Sequence, residues 1–207
     1  MFARRKRQDG GGAETGAAPE PADAVPVVEC RALWKIFGDR RTVPIALDLL
    51  LRGAIDRQEA RERFSCIVGV QDVSLEVRRG EIFCVIGLSG SGKSTLIRHV
   101  NRLIEPTAGD VFIDGSAIRR LDARQLRELR AAKIGMVFQN MALLPHRSVA
   151  KNVGLALELR GSRAAAQAET VERVLRIVGL DGWGHCSIAQ LSGGMQQRVG
   201  LARALAA

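Results

Sequence analysis

The residues with the most chemical capacity in this chain are Gly87-Leu88-Ser89-Gly90-Ser91-Gly92-Lys93-Ser94, which fit the pattern G-x-x-x-x-G-K-[ST]. Glycines carry no Cβ, so a backbone made of them can wrap closely around an oxyanion with its N–H groups turned inward. A helix starting at Lys93 adds its positive end to the same place. Lys93 brings a full charge for the β- and γ-phosphates of a nucleoside triphosphate. The Ser94 hydroxyl can ligate Mg²⁺, and Thr95 adds a donor near the α-phosphate. The candidate phosphate-binding residues are therefore Gly87, Ser89, Gly90, Ser91, Gly92, Lys93, Ser94 and Thr95. A second segment, Leu191-Ser192-Gly193-Gly194-Met195-Gln196-Gln197-Arg198, has a Ser-Gly-Gly turn opening a helix. That is another anion-receptive N-terminus, with Leu191, Ser192, Gly193, Gly194 and Gln196 as its candidates.

The flanking elements place the first segment correctly. Glu81 to Ile86 is a short apolar run, suited to a strand buried on both faces of a parallel sheet, with Cys84 a small core residue. Lys93 to Leu103 reads as a helix stopped near Pro106. Upstream, Val27 to Phe37 alternates as a strand and Gly38-Asp39-Arg40 ends it. Residues 44–62 have Leu47, Leu50, Leu51 and Ile55 at helical spacing, with Pro44 in the first turn. Ile67 to Val77 is a further strand. Downstream follow a strand at Val111-Phe112-Ile113 with a turn at Asp114-Gly115, a charged helix over 122–130, a second buried strand at Ile134 to Phe138, and helical spacing from Ser148 to about Leu180. Strand, phosphate turn, helix, strand and helical insertion is the order of an α/β P-loop nucleotide-binding domain.

The totals exclude several classes. The formal charge is +9 and the pI is near 10.4, a balance open to nucleic acid, an anionic surface or a polyphosphate. Arginines are scattered among Glu and Asp after the N-terminal segment, so a dedicated nucleic-acid face is not expected. Cys30, Cys66, Cys84 and Cys186 form no C-x-x-C pair, which argues against a zinc site or disulfide framework. No run of apolar residues is long enough to span a bilayer. Residues 1–26, rich in Gly, Ala, Pro and Glu, read as a disordered basic tail. The basic start is followed by Gln8-Asp9-Gly10-Gly11-Gly12 rather than an apolar stretch, so a secretory leader is not expected.

Together, the two glycine segments make the chain resemble the ATP-binding-cassette (ABC) ATPases, in which the Ser-Gly-Gly element is the signature motif and continues as Gln196, Gln197 and Arg198 do here. Closer resemblance, through Ala32-Leu33-Trp34-Lys35-Ile36-Phe37-Gly38, the insertion running to Gly69, Asn101-Arg102-Leu103-Ile104-Glu105-Pro106-Thr107 and Leu143-Leu144-Pro145-His146, is to the ATPase subunits of glycine betaine/proline (quaternary amine) importers. It covers roughly residues 27 to 207. It implies an ABC ATPase core with an antiparallel β-subdomain and a helical subdomain at about 140–190. Phe37 would stack on adenine, with Trp34 the alternative. Gln139 would act as the catalytic Q-loop glutamine, contacting Mg²⁺ and the attacking water, and His146 would lie near the membrane subunit. It further implies ATP and Mg²⁺ as ligands and a head-to-tail homodimer that sandwiches ATP between Lys93 of one protomer and Ser192 of the other. Transmembrane permease subunits would be the partners, a substrate-binding protein would take part indirectly, and the protein would sit peripherally at the cytoplasmic face of the membrane.

The family continues past a position like Ala207 with a strand ending in Asp-Glu and a later His, so the C-terminal part of the core is expected to be missing. Without a positioned general base, which is typically worth about 10²–10⁴ in rate, the chain alone is expected to hydrolyse ATP negligibly. The alternative function is a non-hydrolysing fragment or regulatory module that pairs with full-length subunits. Strands Glu81–Ile86 and Ile134–Phe138 are expected to have unpaired edges. The purified chain should therefore melt without a single cooperative transition in calorimetry, and a sharp melt raised by ATP contradicts this.

Overall fold

Apolar residues at alternate positions and at helical spacing sort this chain into two compact units, residues 1–123 and 124–207. The structure, a computed structural model, describes residues 2–6 by their backbone, and residues 25–138 and 141–206 fully. The first unit runs β1 (Phe2–Lys6), β2 (Val28–Phe37), α1 (Val43–Leu51), α2 (Arg57–Phe64), β3 (Ile67–Val77), β4 (Ile82–Ile86), α3 (Lys93–Val100), β5 (Ala108–Ile113) and β6 (Ser116–Ala117).

Four of these strands form an antiparallel sheet in the order β3-β2-β5-β6. Cys30 pairs with Leu75 on one side and Val111 on the other. Burial pushes the Cys30 thiol up to about 11, so it is an inert core group. Asp114 and Gly115, both at positive φ, make the tight turn from β5 to β6. Trp34 and Ile36 of β2 pack with Ala46, Leu50, Ile55 and Ala60 of the helical insertion in one cluster.

The insertion is two helices rather than the one expected over 44–62. The chain turns left-handed at Gly53, and the Asp56 carboxylate accepts from the Glu59 N–H while the Glu59 side chain accepts from the Asp56 N–H. A glycine stop followed by a reciprocal cap outweighs the leucine spacing. Pro44 does stand in the first turn of α1. Helix α3 is also shorter than expected. It ends at Val100 because Arg102 adopts φ +52, and the Asn101 side chain accepts from the Leu103 N–H.

Two strands expected to be buried are not. β4 forms, but Ile82, Cys84 and Ile86 are exposed and no parallel neighbour lies beside it among the described residues. Its partner is β1, antiparallel, with Phe2 opposite Ile86 and Lys6 opposite Ile82. That strand falls in the segment read as a tail: an open ladder edge takes up an available extended segment because its N–H and C=O groups need partners. The remainder of that reading, residues 7–24, lies outside the described residues. Ile134–Phe138 is not a strand, and Val137 and Phe138 are exposed. Apolar, branched composition does not by itself make a strand, since strand preference is set by packing against neighbours in a sheet.

The second unit carries α4 (Ala123–Lys133), α5 (Val149–Val153), α6 (Leu155–Leu159), α7 (Ala164–Ile177) and α8 (Gly193–Ala206). Val149 and Val153, Val171, Val174 and Leu175, and Val199, Ala202 and Ala206 form its core. Asn152 is wholly buried within it. Its side-chain amide donates to the carbonyls of Leu144, Arg147 and Ser148, and its oxygen accepts from the Leu144 N–H. Every polar atom of this buried group is therefore used, and the segment 144–148 is locked to α5. No helix among the described residues is long and apolar enough to cross a membrane. Asn152→Ala leaves those backbone groups without their partner and should destabilise the second unit by about 2–3 kcal/mol, read as a lowered urea midpoint in far-UV circular dichroism.

Candidate nucleotide-binding site

The turn from β4 to α3 is built by close approach. Gly92 adopts φ +91, and a Cβ there would stand 2.0 Å from the carbonyl oxygen of Gly69. A Cβ at Gly87 would meet the Ser91 hydroxyl at 2.6 Å. At Gly92 no other residue fits without moving backbone, whereas at Gly87 the Ser91 side chain would have to turn away, and the result is a loop folded tightly onto β3. Residues 87–90 and Ser94 are exposed, so the outer side of the loop is open to a ligand. Lys93 opens α3, and its ammonium bends back to donate to the carbonyls of Gly87 (2.8 Å) and Leu88 (2.6 Å). Thus the cation sits over the loop it follows, at the positive end of a helix. The Ser91 hydroxyl is buried and has no protein partner. With Arg57, Gly69 and Gln71 it lines a cavity of about 330 Å³.

These features fit a triphosphate: an exposed glycine cradle, a cation resting on two carbonyls, a Ser91 hydroxyl without a partner among the described residues, and an exposed Ser94. For Mg²⁺ the described residues supply a single ligand, the Ser94 hydroxyl, and among them no cluster of His, Cys, Asp or Glu could hold a metal on its own. Such a site suits an ion that arrives with phosphate oxygens and water. Gln139, the other expected metal contact, lies outside the described residues.

Phe37 ends β2 beside this turn and Trp34 does not reach it. Trp34 is 4% exposed and belongs to the core, while Phe37 is 40% exposed. The point where a Cβ would stand on Gly69 is 2.7 Å from Phe37 Cε2 and 3.6 Å from the Thr95 methyl, so the ring leans on a glycine next to the phosphate helix. Lys35 lies over the ring, its ammonium 5.0 Å from the centroid. Lys35 and Gly69 were not singled out in the sequence. The signal was there in part, because residues i and i+2 of a strand share a face, whereas the contact with Gly69 depends on strand pairing.

His99, on α3, is wholly buried. Its Nδ1 lies 2.7 Å from the Thr95 carbonyl and must donate there, because that oxygen only accepts. Nε2 then carries the lone pair, buried without a partner. Burial lowers the pKa of His99 from its ordinary 6.5 and the Lys35 charge lowers it further, against the Thr95 hydrogen bond and the Glu105 charge, which raise it.

The Ser-Gly-Gly segment belongs to the second unit. Leu191 is buried, and the Ser192 hydroxyl accepts from the Met195 N–H at 3.3 Å across the first turn of α8. Gly193 and Gly194 are exposed, and a Cβ on either would meet nothing within 4 Å. Among the described residues nothing demands glycine there. Gln196 turns inward, its amide donating to the carbonyls of Ile188 (3.3 Å) and Leu191 (3.2 Å), so here it braces the turn. Arg198 likewise donates to the Val178 and Gly179 carbonyls. His146 and His185 are exposed.

Residues 70–207 match the family model described as ABC transporter. The chain is 46% identical over 179 residues to the glycine betaine/proline betaine transport system ATP-binding protein ProV of Escherichia coli (strain K12), covering 86% of this chain and 44% of that protein. It is 47% identical over 178 residues to the glycine betaine transport ATP-binding protein OpuAA of Bacillus subtilis (strain 168), covering 86% and 42%. The chain thus spans less than half the length of these relatives. Among solved structures it resembles MJ0796, a bacterial ABC transporter cassette in dimeric form, with a TM-score of 0.69 at 29% identity, covering 86% of this chain and 69% of that one. A second dimeric form of MJ0796, in a post-hydrolysis state bound to ADP and Pi, gives 0.68 at 31% identity with the same coverage.

Below about pH 6.5 the unfolded chain binds a proton at residue 99 that the folded chain refuses, so the stability of the first unit should fall as pH drops through that value. His99→Gln should remove this component. Melting temperatures of both proteins compared between pH 7.5 and 5.5 check it, and parallel profiles contradict it.

Proposed function

The chain belongs to the ABC transporter family, and from that membership we propose that it is an ATP-binding, energy-coupling subunit of an importer for glycine betaine, proline betaine or related quaternary amines. The observation that carries the reading is the exposed glycine cradle between β4 and α3, with Lys93 poised over it. The relatives' names supply the solute class.

In this function the backbone N–H groups of residues 87–92 and the positive end of α3 receive the phosphate oxygens. Lys93 exchanges two neutral carbonyls for the β- and γ-phosphates, a gain because the new partners are charged. Ser94 would hold Mg²⁺, which would neutralise the phosphate charge. Phe37 would offer its exposed ring to adenine. By the family resemblance Gln139 would contact the metal and the attacking water.

Assembly follows the same logic. Gly193 and Gly194 leave bare backbone at the first turn of α8 with no internal reason for glycine, which suits close approach by a phosphate from outside the chain. The proposed arrangement is a head-to-tail homodimer in which Ser192 and these amides of one protomer complete the site around Lys93 of the other. Closure of that dimer would drive transmembrane permease subunits at the cytoplasmic face of the membrane. An extracytoplasmic substrate-binding protein would act on the permease and not on this chain.

Removing the cation tests the reading directly. A charged hydrogen bond to phosphate is worth roughly 1.5–3 kcal/mol, so Lys93→Ala should weaken MgATP binding by about 10- to 100-fold in isothermal titration calorimetry. Unchanged affinity removes the proposal.

A further inference from the structure

We infer that Lys35 is a positioning residue for the base of the bound nucleotide: it holds the Phe37 ring from one face so that the opposite face can stack on a purine. The inference rests on the proposed ATP-binding function and extends it to a residue that function does not use.

Two contacts converge on the ring. Lys35 and Phe37 stand two apart on β2 and so share a face, and the Lys35 ammonium lies 5.0 Å from the ring centroid. Its edge rests on Gly69, where any side chain would collide with Cε2. Phe37 nevertheless keeps 40% of its surface exposed. With Lys35 over one face and Gly69 at the edge, that exposure is assigned to the opposite face, as the one left for a ligand.

The lysine is itself held in place. Its ammonium donates to the Glu105 carbonyl at 2.9 Å, in the loop that follows α3. The same loop grips the end of β2 through Thr107, whose hydroxyl accepts from the Ile36 N–H at 2.9 Å and whose own N–H donates to the Trp34 carbonyl at 2.8 Å. The phosphate helix and the aromatic platform are thus joined at both ends of α3: Gly92 against Gly69 at its start, and Glu105 and Thr107 against β2 past its end. Burial lowers the pKa of Lys35, so its ammonium is partly desolvated, and a cation in that state interacts more strongly with a ring. A charge on one face also draws π density from the ring, which lowers repulsion against the π cloud of a base stacked on the other.

Because the contact acts on the base and not on the phosphates, it should separate ATP from a ligand that has only phosphates. The full chain is titrated calorimetrically with MgATP and with Mg-tripolyphosphate, as wild type, Lys35→Gln, Lys35→Met and Lys35→Arg. Lys35→Gln and Lys35→Met should weaken ATP by about three- to tenfold, the weight of one partly desolvated cation–π contact, and leave tripolyphosphate within about twofold. Lys35→Arg, which keeps a cation over the ring, should retain the wild-type preference. In a Phe37→Leu background Lys35→Gln should have no further effect on ATP.

Equal losses for both ligands would make Lys35 a structural support only and overturn the inference. So would an unchanged ATP affinity in Lys35→Gln, or a full effect of Lys35→Gln without Phe37. If the wild type binds neither ligand, it is the nucleotide-binding function that fails, and the inference falls with it. Tripolyphosphate binding without any added ATP affinity refutes the base platform while leaving the phosphate site intact.

Discussion

Backbone meets backbone at Gly92 and Gly69, and the rest of the candidate site depends on that contact. A single added carbon at residue 92 would lie 2.0 Å from the Gly69 oxygen, while one at residue 69 would strike the Phe37 ring. The phosphate turn, the third strand and the aromatic platform can therefore occupy their places only while both residues lack a Cβ. Such a constraint is stiff, because interiors packed to this density yield by shifting backbone and not by compressing. It sets the distance between the part of the site that would receive phosphates and the part that would receive a base.

Electrostatics then works on a prepared geometry. Lys93 is a full charge resting on two neutral carbonyls, which makes it available to a stronger acceptor. The orphaned Ser91 hydroxyl and the unsatisfied N–H groups at the start of α3 point to the same need. On the far side of α3 the signs are managed differently. His99 stays neutral because it is buried close to Lys35, and Lys35 spends its charge on the Phe37 ring and the Glu105 carbonyl. Two cations near one helix thus have separate tasks, one open to a ligand and one turned toward the protein.

The second unit reaches its order by other means. Its core is aliphatic, and one buried amide, Asn152, satisfies backbone groups of Leu144, Arg147 and Ser148. Arg203 adds to this by donating to the Met141 and Ala142 carbonyls, and burial lowers its pKa. The Ser-Gly-Gly turn is braced from behind by Gln196, so its glycines face outward on a fixed base. A ligand arriving there would meet amides already oriented, with little ordering cost left.

Much of this was readable in the residues alone. Composition and spacing at Gly87–Ser94 and Leu191–Gln196 marked both segments as phosphate-receptive, because phosphate chemistry demands glycine, lysine and hydroxyl at short, local separations. The strands at Val27–Phe37 and Ile67–Val77 were legible from their apolar pattern, and so were Pro44 in the first turn of a helix and the turn at Asp114-Gly115, while their antiparallel pairing was implied only by the family resemblance. Tertiary structure alone decided which strands exist as buried strands. Ile134–Phe138 and Ile82–Ile86 have the same apolar content as a core strand, yet the first does not form a strand and the second is exposed with β1 at its edge, because pairing belongs to two segments at once. It alone brought Gly69 and Lys35 to Phe37 and turned Gln196 inward. Contacts between residues far apart in the chain leave no periodic trace in either segment, so only the folded chain could reveal them.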